Sequence, residues 1–332
     1  MKDQILQTNA SIISCASVVG HKEHDGPIGS CFDEYDASDK FGKKTWELAE
    51  SEMQRRAMSK ALSKSGLGIS DVGAMFAGDL LNQCTGSAYG VLDFDIPYFG
   101  LYGACSTAAE GLMLASLLIS GGHLEHCAAI TSSHFCSAEQ QYRTPLEYGG
   151  QRSPTAQWTV TGSAAFILGK PHSRSNRICA CLPGIVIDQG INDAANMGAA
   201  MMPAALDTLV RFFRESGTSP KDYDAIYSGD LGFEGSKLLR EFMRAEGYLL
   251  EENYFDCGNI IFDREAQDVH SGGSGCGCSA VVLASHILPK VNCGELSKVL
   301  FMGTGAMMSP LSLKQGQSIP AVAHLIMIEH KE

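Results

Sequence analysis

The sequence predicts an α/β fold built from two duplicated βαβ-rich halves, and three observations carry that expectation. Strand-like and helix-like segments alternate along the whole of the 332 residues. The run Ala74-Met-Phe-Ala-Gly-Asp-Leu80 recurs as Ala225-Ile-Tyr-Ser-Gly-Asp-Leu231, so each half has a buried strand ending in Gly-Asp-Leu. Cys105-Ser106, before one long apolar helix, is matched by Cys278-Ser279 before another. Two similar units in the same order point to internal duplication, with a boundary placed between 1–172 and 173–332.

Taken in order, residues 1–44 read as irregular, with a short apolar strand over 11–14 and a turn-rich loop over 24–29. A helix begins at Thr45, carries Leu48, Ala49, Met53, Ala57, Ala61 and Leu62 on one face, and stops near Gly66 and Gly68. A strand over 71–77 ends in Gly78-Asp79-Leu80, and 97–102 reads as a short buried strand. The elbow Gly103-Ala-Cys-Ser-Thr-Ala-Ala-Glu110 then puts Cys105 at the first turn of a helix reaching Ser120, whose one charge, Glu110, predicts burial on all sides. A cysteine at the positive end of a helix dipole is favoured as thiolate and is a candidate nucleophile.

A strand over 127–134 follows, and then a polar, irregular loop over 135–158, of a length that is usually functional. Residues 159–168 return to strand and 171–176 read as a linker. The second half gives a strand over 178–187, a helix over 202–213 with Pro203 in its first turn, a strand over 224–229 and a helix over 235–245. A second glycine-rich elbow into a buried helix spans 274–287, and strands over 298–303 and 321–329 close the chain. Gly275-Cys-Gly-Cys-Ser-Ala280 superficially meets a dinucleotide fingerprint, but it follows a polar loop rather than a strand end, and that reading is rejected.

Composition narrows the function. The net charge of −12 argues against nucleic acid or an anionic membrane surface as a direct partner. The 12 cysteines are scattered through apolar runs with no Cys-x-x-Cys, which fits free thiols in a reducing compartment and gives no zinc pattern. The N-terminal residues lack the apolar core of a signal peptide, no apolar run is long enough to span a membrane, and no basic amphipathic helix offers lipid attachment.

The order of segments and the Ala104-Cys-Ser-Thr107 elbow resemble the thiolase superfamily, nearest in layout to ketoacyl-ACP synthase type III, and Thr161-Gly-Ser-Ala-Ala-Phe-Ile-Leu168 resembles its Gly-Asp-Gly-Ala-rich strand. The resemblance implies a five-layer αβαβα fold, with Cys105 on the acylated cysteine of a Cys-His-Asn condensing set. The set's histidine falls near Ser228-Gly229-Asp230 and its asparagine near Gly273-Ser-Gly-Cys276, and neither residue type is there. Denser matches, among them Gly78-Asp-Leu-Leu-Asn-Gln83, Tyr142-Arg-Thr-Pro-Leu-Glu-Tyr-Gly-Gly150, Gly272-Gly-Ser-Gly-Cys-Gly-Cys-Ser-Ala280 and Gly303-Thr-Gly-Ala306, resemble the stage V sporulation protein AD family over nearly the full length. That resemblance implies a usually dimeric protein that binds dipicolinic acid. It also implies membership of a membrane-associated apparatus, with integral membrane partners, that moves calcium dipicolinate into the developing spore. The expected location is therefore peripheral, on the cytoplasmic side of the forespore or spore inner membrane.

Two functions follow as expectations: a non-catalytic binding protein for dipicolinic acid or its calcium complex, and an acyltransferase or condensing enzyme in which Cys105 is acylated and His134 is the base. No cofactor is expected beyond calcium carried with the ligand. For a planar dianion the candidate ligand-binding residues are Cys105, His134, Asp79, Asn82, Gln83, Arg143, Tyr142, Asp230 and Ser274. Asn82 and Gln83 offer amide donors and Arg143 a cation. Tyr142 and Tyr148 offer rings, and Arg152 reads as a surface residue. Asp79 and Asp230 either cap turns or face the pocket, where carboxylates could hold calcium. His134 is either a site residue or a core histidine bonded to backbone.

Overall fold

The computed structural model describes residues 4–142, 152–171 and 175–331. The strands of the first half are β1 (Leu6–Gly20), β2 (Glu34–Asp36), β3 (Ala74–Gly78), β4 (Tyr98–Gly100), β5 (His126–Ser133), β6 (Trp158–Thr159) and β7 (Gly162–Gly169). Those of the second are β8 (Ser175–Leu182), β9 (Ala225–Ser228), β10 (Tyr254–Asp256), β11 (Gly273–Ser274), β12 (Lys298–Ala306) and β13 (Ala321–Lys331). The helices that matter here are α1 (Trp46–Ser65), α2 (Thr107–Ser120), α3 (Phe135–Tyr142), α4 (Met197–Ser216), α5 (Gly232–Ala245) and α6 (Cys276–Val282).

The duplication is written into the hydrogen bonding. One half runs β4-β3-β5-β7-β1 across the sheet and the other runs β10-β9-β12-β13-β8, the same order. β3 is parallel to β4 and β5, and β7 is antiparallel to β5 and β1. β9 is likewise parallel to β10 and β12, and β13 is antiparallel to β12 and β8. Antiparallel pairing of β1 with β8 joins the two into one sheet.

Layers follow from which faces are apolar. β7, Gly-Ser-Ala-Ala-Phe-Ile-Leu-Gly, is buried along its whole length, as a strand covered on both faces must be. α2 packs on β1, β3, β5 and β7 of one half and on β8, β12 and β13 of the other, and α6 lies beside it. These two helices form the middle layer, and their apolar surroundings merge Phe76, Phe166, Tyr227, Phe301 and Ile326 into one core. α1 covers the outer face of the first half with Ala49, Met53, Ala57, Ala61 and Leu62. α4 and α5 cover the second. The result is the thiolase-like αβαβα stack. No helix among the described residues is long and apolar enough to cross a membrane.

Several local expectations are corrected. β1 extends from Leu6 to Gly20 rather than over 11–14, because it pairs with β7 along one stretch and β8 along another. The strand over 97–102 is not buried: β4 is the outermost strand, and Tyr98, Phe99 and Tyr102 are 37%, 52% and 59% exposed. The stretch 135–158 is not wholly irregular, since it opens with α3 and closes with β6, which pairs with β11. Pro203 sits inside α4 rather than in its first turn, because the helix starts at Met197 behind Asn196, whose side chain accepts from the Ala199 amide. The linker at 171–176 gives way to strand at Ser175.

β12 positions the cysteine elbow by close backbone approach. A Cβ added at Gly305 would lie 2.3 Å from the Gly103 carbonyl oxygen. Gly305→Ala is therefore expected to cost about 1–3 kcal/mol through overpacking, read as a lower urea midpoint at unchanged slope. An unchanged midpoint would show that β12 does not hold the elbow.

Candidate functional site

The C-terminal ends of β3 and β12 and the elbow before α2 converge on a cleft of about 440 Å³. Asp79, Leu80, Leu81, Asn82 and Gln83 follow β3 and form one wall, with Tyr102, Ala104 and Cys105 from the elbow. α3 adds Ala138, Glu139 and Tyr142, and the β6 and β11 segments add Gln157, Thr159 and Ser274. Met197, Met307 and Met308 make an apolar wall. Lysine, arginine and histidine are absent from the lining among the described residues.

Cys105 lies in a 3-10 turn, Ala104–Ser106, ahead of α2, with Ala104 in the left-handed region at φ 48°. The helix end does not make it a thiolate. Burial first, and then the Asp230 carboxylate and the Cys276 thiol, push the Cys105 thiol well above its ordinary range. Asp230 accepts from Ser274 Oγ at 3.0 Å, the Gly275 amide at 2.9 Å and Thr304 Oγ1 at 2.9 Å, and it lies beside the Cys105 thiol. It is fully buried and lies under the floor of the cleft, behind Ser274 and Cys105, rather than facing a ligand. Burial also raises the Asp230 carboxyl above its usual range despite these donors.

His134 is not at the site. It is fully buried outside the cleft, with Nε2 donating to the Asp39 carbonyl at 2.8 Å and Nδ1 accepting from the Cys136 amide at 3.1 Å. Both ring nitrogens are committed and burial holds the ring neutral, so no base faces Cys105 from this residue. Period-two alternation explains the placement. Ser132 points to Glu50 of the outer helix α1, and His134 follows it to that side, near Trp46. Ser133 points inward to the Gly277 amide.

Asp79 lines the cleft, but its oxygens are already used: Oδ1 accepts from the Leu81 amide at 2.8 Å, and Oδ2 from the Ser87 amide and hydroxyl, each at 2.6 Å. It is a turn cap. With Asp230 equally engaged, the pair does not fit a resident calcium site. Asn82 and Gln83 are exposed at the rim, Gln83 in the left-handed region at φ 61°. Tyr142 lines the wall and donates its hydroxyl to the Leu80 carbonyl at 2.5 Å, and Ser274 lines the floor. Arg143 and Tyr148 lie outside the described residues. Arg152 is away from the cleft, over the Trp158 ring and bonded to Asp268.

The residues that sequence reasoning missed are Gln157, Tyr102, Thr159, Glu139 and the methionine wall. Gln157 carried no motif and lay in the stretch read as irregular. Met307 and Met308 directly follow the Gly303-Thr-Gly-Ala306 run, which was the one available signal.

Behind Asp79 lies a second buried carboxyl. Glu50 accepts from Ser132 Oγ at 2.8 Å and Ser137 Oγ at 2.7 Å, and Gln54 donates to Ser132 at 2.7 Å and Ser87 at 2.9 Å. Burial, and next the Asp79 charge, raise Glu50 from its ordinary 4.5 to about 8. The folded chain thus keeps a proton that the unfolded chain loses, so this group's stability is full below pH 4.5 and is lost as pH rises to about 8. Glu50→Gln is expected to flatten the decline in Tm between about pH 5 and about pH 9. An unchanged decline would place the titrating proton elsewhere.

Comparison with known proteins agrees with this geometry. The family described as Stage V sporulation protein AD (SpoVAD) matches residues 2–329. Stage V sporulation protein AD of Bacillus subtilis (strain 168) is 40% identical over 316 residues, covering 95% of this chain and 93% of that protein. Solved structures share the fold at low identity. An OleA variant from Xanthomonas campestris has a TM-score of 0.61 at 15% identity, covering 98% of this chain and 99% of that one. 3-Oxoacyl-(acyl carrier protein) synthase III, FabH, from Xanthomonas oryzae pv. oryzae has a TM-score of 0.61 at 15% identity, covering 97% and 99%.

Proposed function

This chain belongs to the stage V sporulation protein AD family, and from that premise we propose that its cleft binds dipicolinic acid, alone or as the calcium complex, without catalysing a reaction. The observation that carries the reading is the carboxylate of Asp230 against the Cys105 thiol. A condensing enzyme needs a base that withdraws the thiol proton and donors that stabilise an oxyanion. A buried carboxylate does the reverse, since its charge opposes a thiolate beside it. The cleft itself suits a small planar ligand. It lies within the common size range for such sites, the methionine wall offers apolar contact to a ring, and amides and hydroxyls offer directed hydrogen bonds.

Titration calorimetry with dipicolinate, with and without calcium, is expected to give saturable heat at one ligand per chain. No heat at millimolar ligand in either condition would sink the proposal. Intact-mass measurement after incubation with acyl-CoA separates the acyltransferase reading. No adduct is expected, and an adduct that disappears in Cys105→Ser would establish the enzyme instead.

We further infer a homodimer that presents the ligand to integral membrane proteins of the sporulation apparatus, on the cytoplasmic side of the forespore or spore inner membrane. Support for the dimer comes from β4, an unpaired sheet edge carrying the exposed aromatic side chains of Tyr98 and Phe99. Light scattering coupled to size exclusion is expected to give a dimer for the wild type and a monomer for Phe99→Lys. A monomeric wild type would contradict the inference.

A further inference from the structure

The rim loop after β3 is a thin wall. Leu81 and Asn82 line the cleft on one side and, on the other, a smaller cavity of about 280 Å³ that Thr85, Ser137 and Gln141 help to enclose. The two cavities leave this loop fewer packed neighbours to fix its place than an interior loop has. Two consecutive residues in it, Gln83 at φ 61° and Cys84 at φ 49°, hold left-handed backbone that side chains other than glycine rarely adopt. Such a conformation persists only where its surroundings hold it.

Gln141, half-buried on the last turn of α3, supplies that hold in both directions. Its Nε2 donates to the Leu80 carbonyl at 2.8 Å, and its Oε1 accepts from the Asn82 amide at 2.9 Å. Turning the carboxamide over would set donor against donor and acceptor against acceptor, so the two backbone groups fix its orientation. One side chain therefore grips the loop on either side of Leu81. Tyr142 reaches the same Leu80 carbonyl, whereas the Asn82 amide is held by Gln141.

We propose that Gln141 is a positioning residue for ligand binding, which pre-organises the rim so that Asn82 and Gln83 stand at the cleft before a ligand arrives. The inference rests on the dipicolinate reading and names what holds the rim donors in place. Gln141 does not itself line the cleft, and it acts through the loop. Without its two bonds, binding has to order the loop as well, and the apparent affinity falls by the fraction of molecules whose rim is already in place.

The test is calorimetric titration of the full chain with dipicolinate, on the wild type, Gln141→Ala and Gln141→Met, together with amide hydrogen exchange. Methionine keeps the length of the side chain and loses both hydrogen bonds. Both variants are expected to bind about tenfold more weakly, as a rim in place in about one molecule in ten would give. The Leu81 amide bonds to Asp79 and the Cys84 amide to the Leu81 carbonyl, so neither depends directly on Gln141. Both amides are expected to exchange faster in the ligand-free variants and to regain wild-type protection at saturating ligand, with β1 and β7 unchanged throughout. Wild-type affinity in Gln141→Met, weaker binding with unchanged exchange at Leu81 and Cys84, or faster exchange that spreads to β1 and β7 overturns this inference and leaves the binding reading standing. No heat from the wild type overturns both.

Discussion

The Asp230 carboxylate is the node on which the site depends. It gathers the Ser274 hydroxyl and Gly275 amide from the segment before α6 and the Thr304 hydroxyl from β12, and it lies beside the Cys105 thiol of the other half's elbow. One buried group therefore ties two segments of the second half together under the cleft floor, against the elbow of the first. Removing its charge would leave several donors unpaired, and a carboxyl at this point is correspondingly hard to replace. The same group decides the chemistry. A neutral imidazole could accept the thiol proton, whereas burial, and next the Asp230 carboxyl beside it, keep the proton on sulfur.

The matching strand ends have diverged in use. Both Asp79 and Asp230 follow a buried Gly at a strand terminus, as the repeat in the sequence requires. Asp79 turns back to cap its own loop through Leu81 and Ser87, whereas Asp230 turns away from its own loop to the segment before α6 and to β12. The role of capping its own loop in the second half passes to Asp256, which accepts from the Leu231 and Gly232 amides at 2.9 and 3.0 Å. Duplication thus supplies two equivalent loops, one forming the cleft rim over a buried Glu50–Ser–Gln54 network and the other forming its floor.

Much of the architecture was legible because it is local. The Gly-Asp-Leu strand ends, the apolar elbow helices and the capped helix from Thr45 to Gly66 are each set by residues close in sequence. Cys105, Asn82, Gln83, Tyr142 and Ser274 do come together at one cleft, because strand ends of both halves open on the same side. What failed was what depends on long-range contact. The helix-dipole argument for a Cys105 thiolate lost to burial and to Asp230, which is distant in sequence. His134 was misplaced because its strand parity sends it to the outer helix layer. β4 reads as apolar and buried, yet its place at the sheet edge exposes it. Gln157 had no pattern to find, since its role comes entirely from the two carbonyls that fix its amide.

The central claim is that this cleft holds Cys105 as a neutral thiol and therefore binds rather than reacts. Ultraviolet difference absorbance of the thiolate, wild type minus Cys105→Ser, measured as pH is raised from mildly acidic to alkaline, tests it most directly. The account predicts no thiolate signal from Cys105 through the neutral range and into mild alkali. A step at or below neutral pH would show an activated cysteine and contradict it.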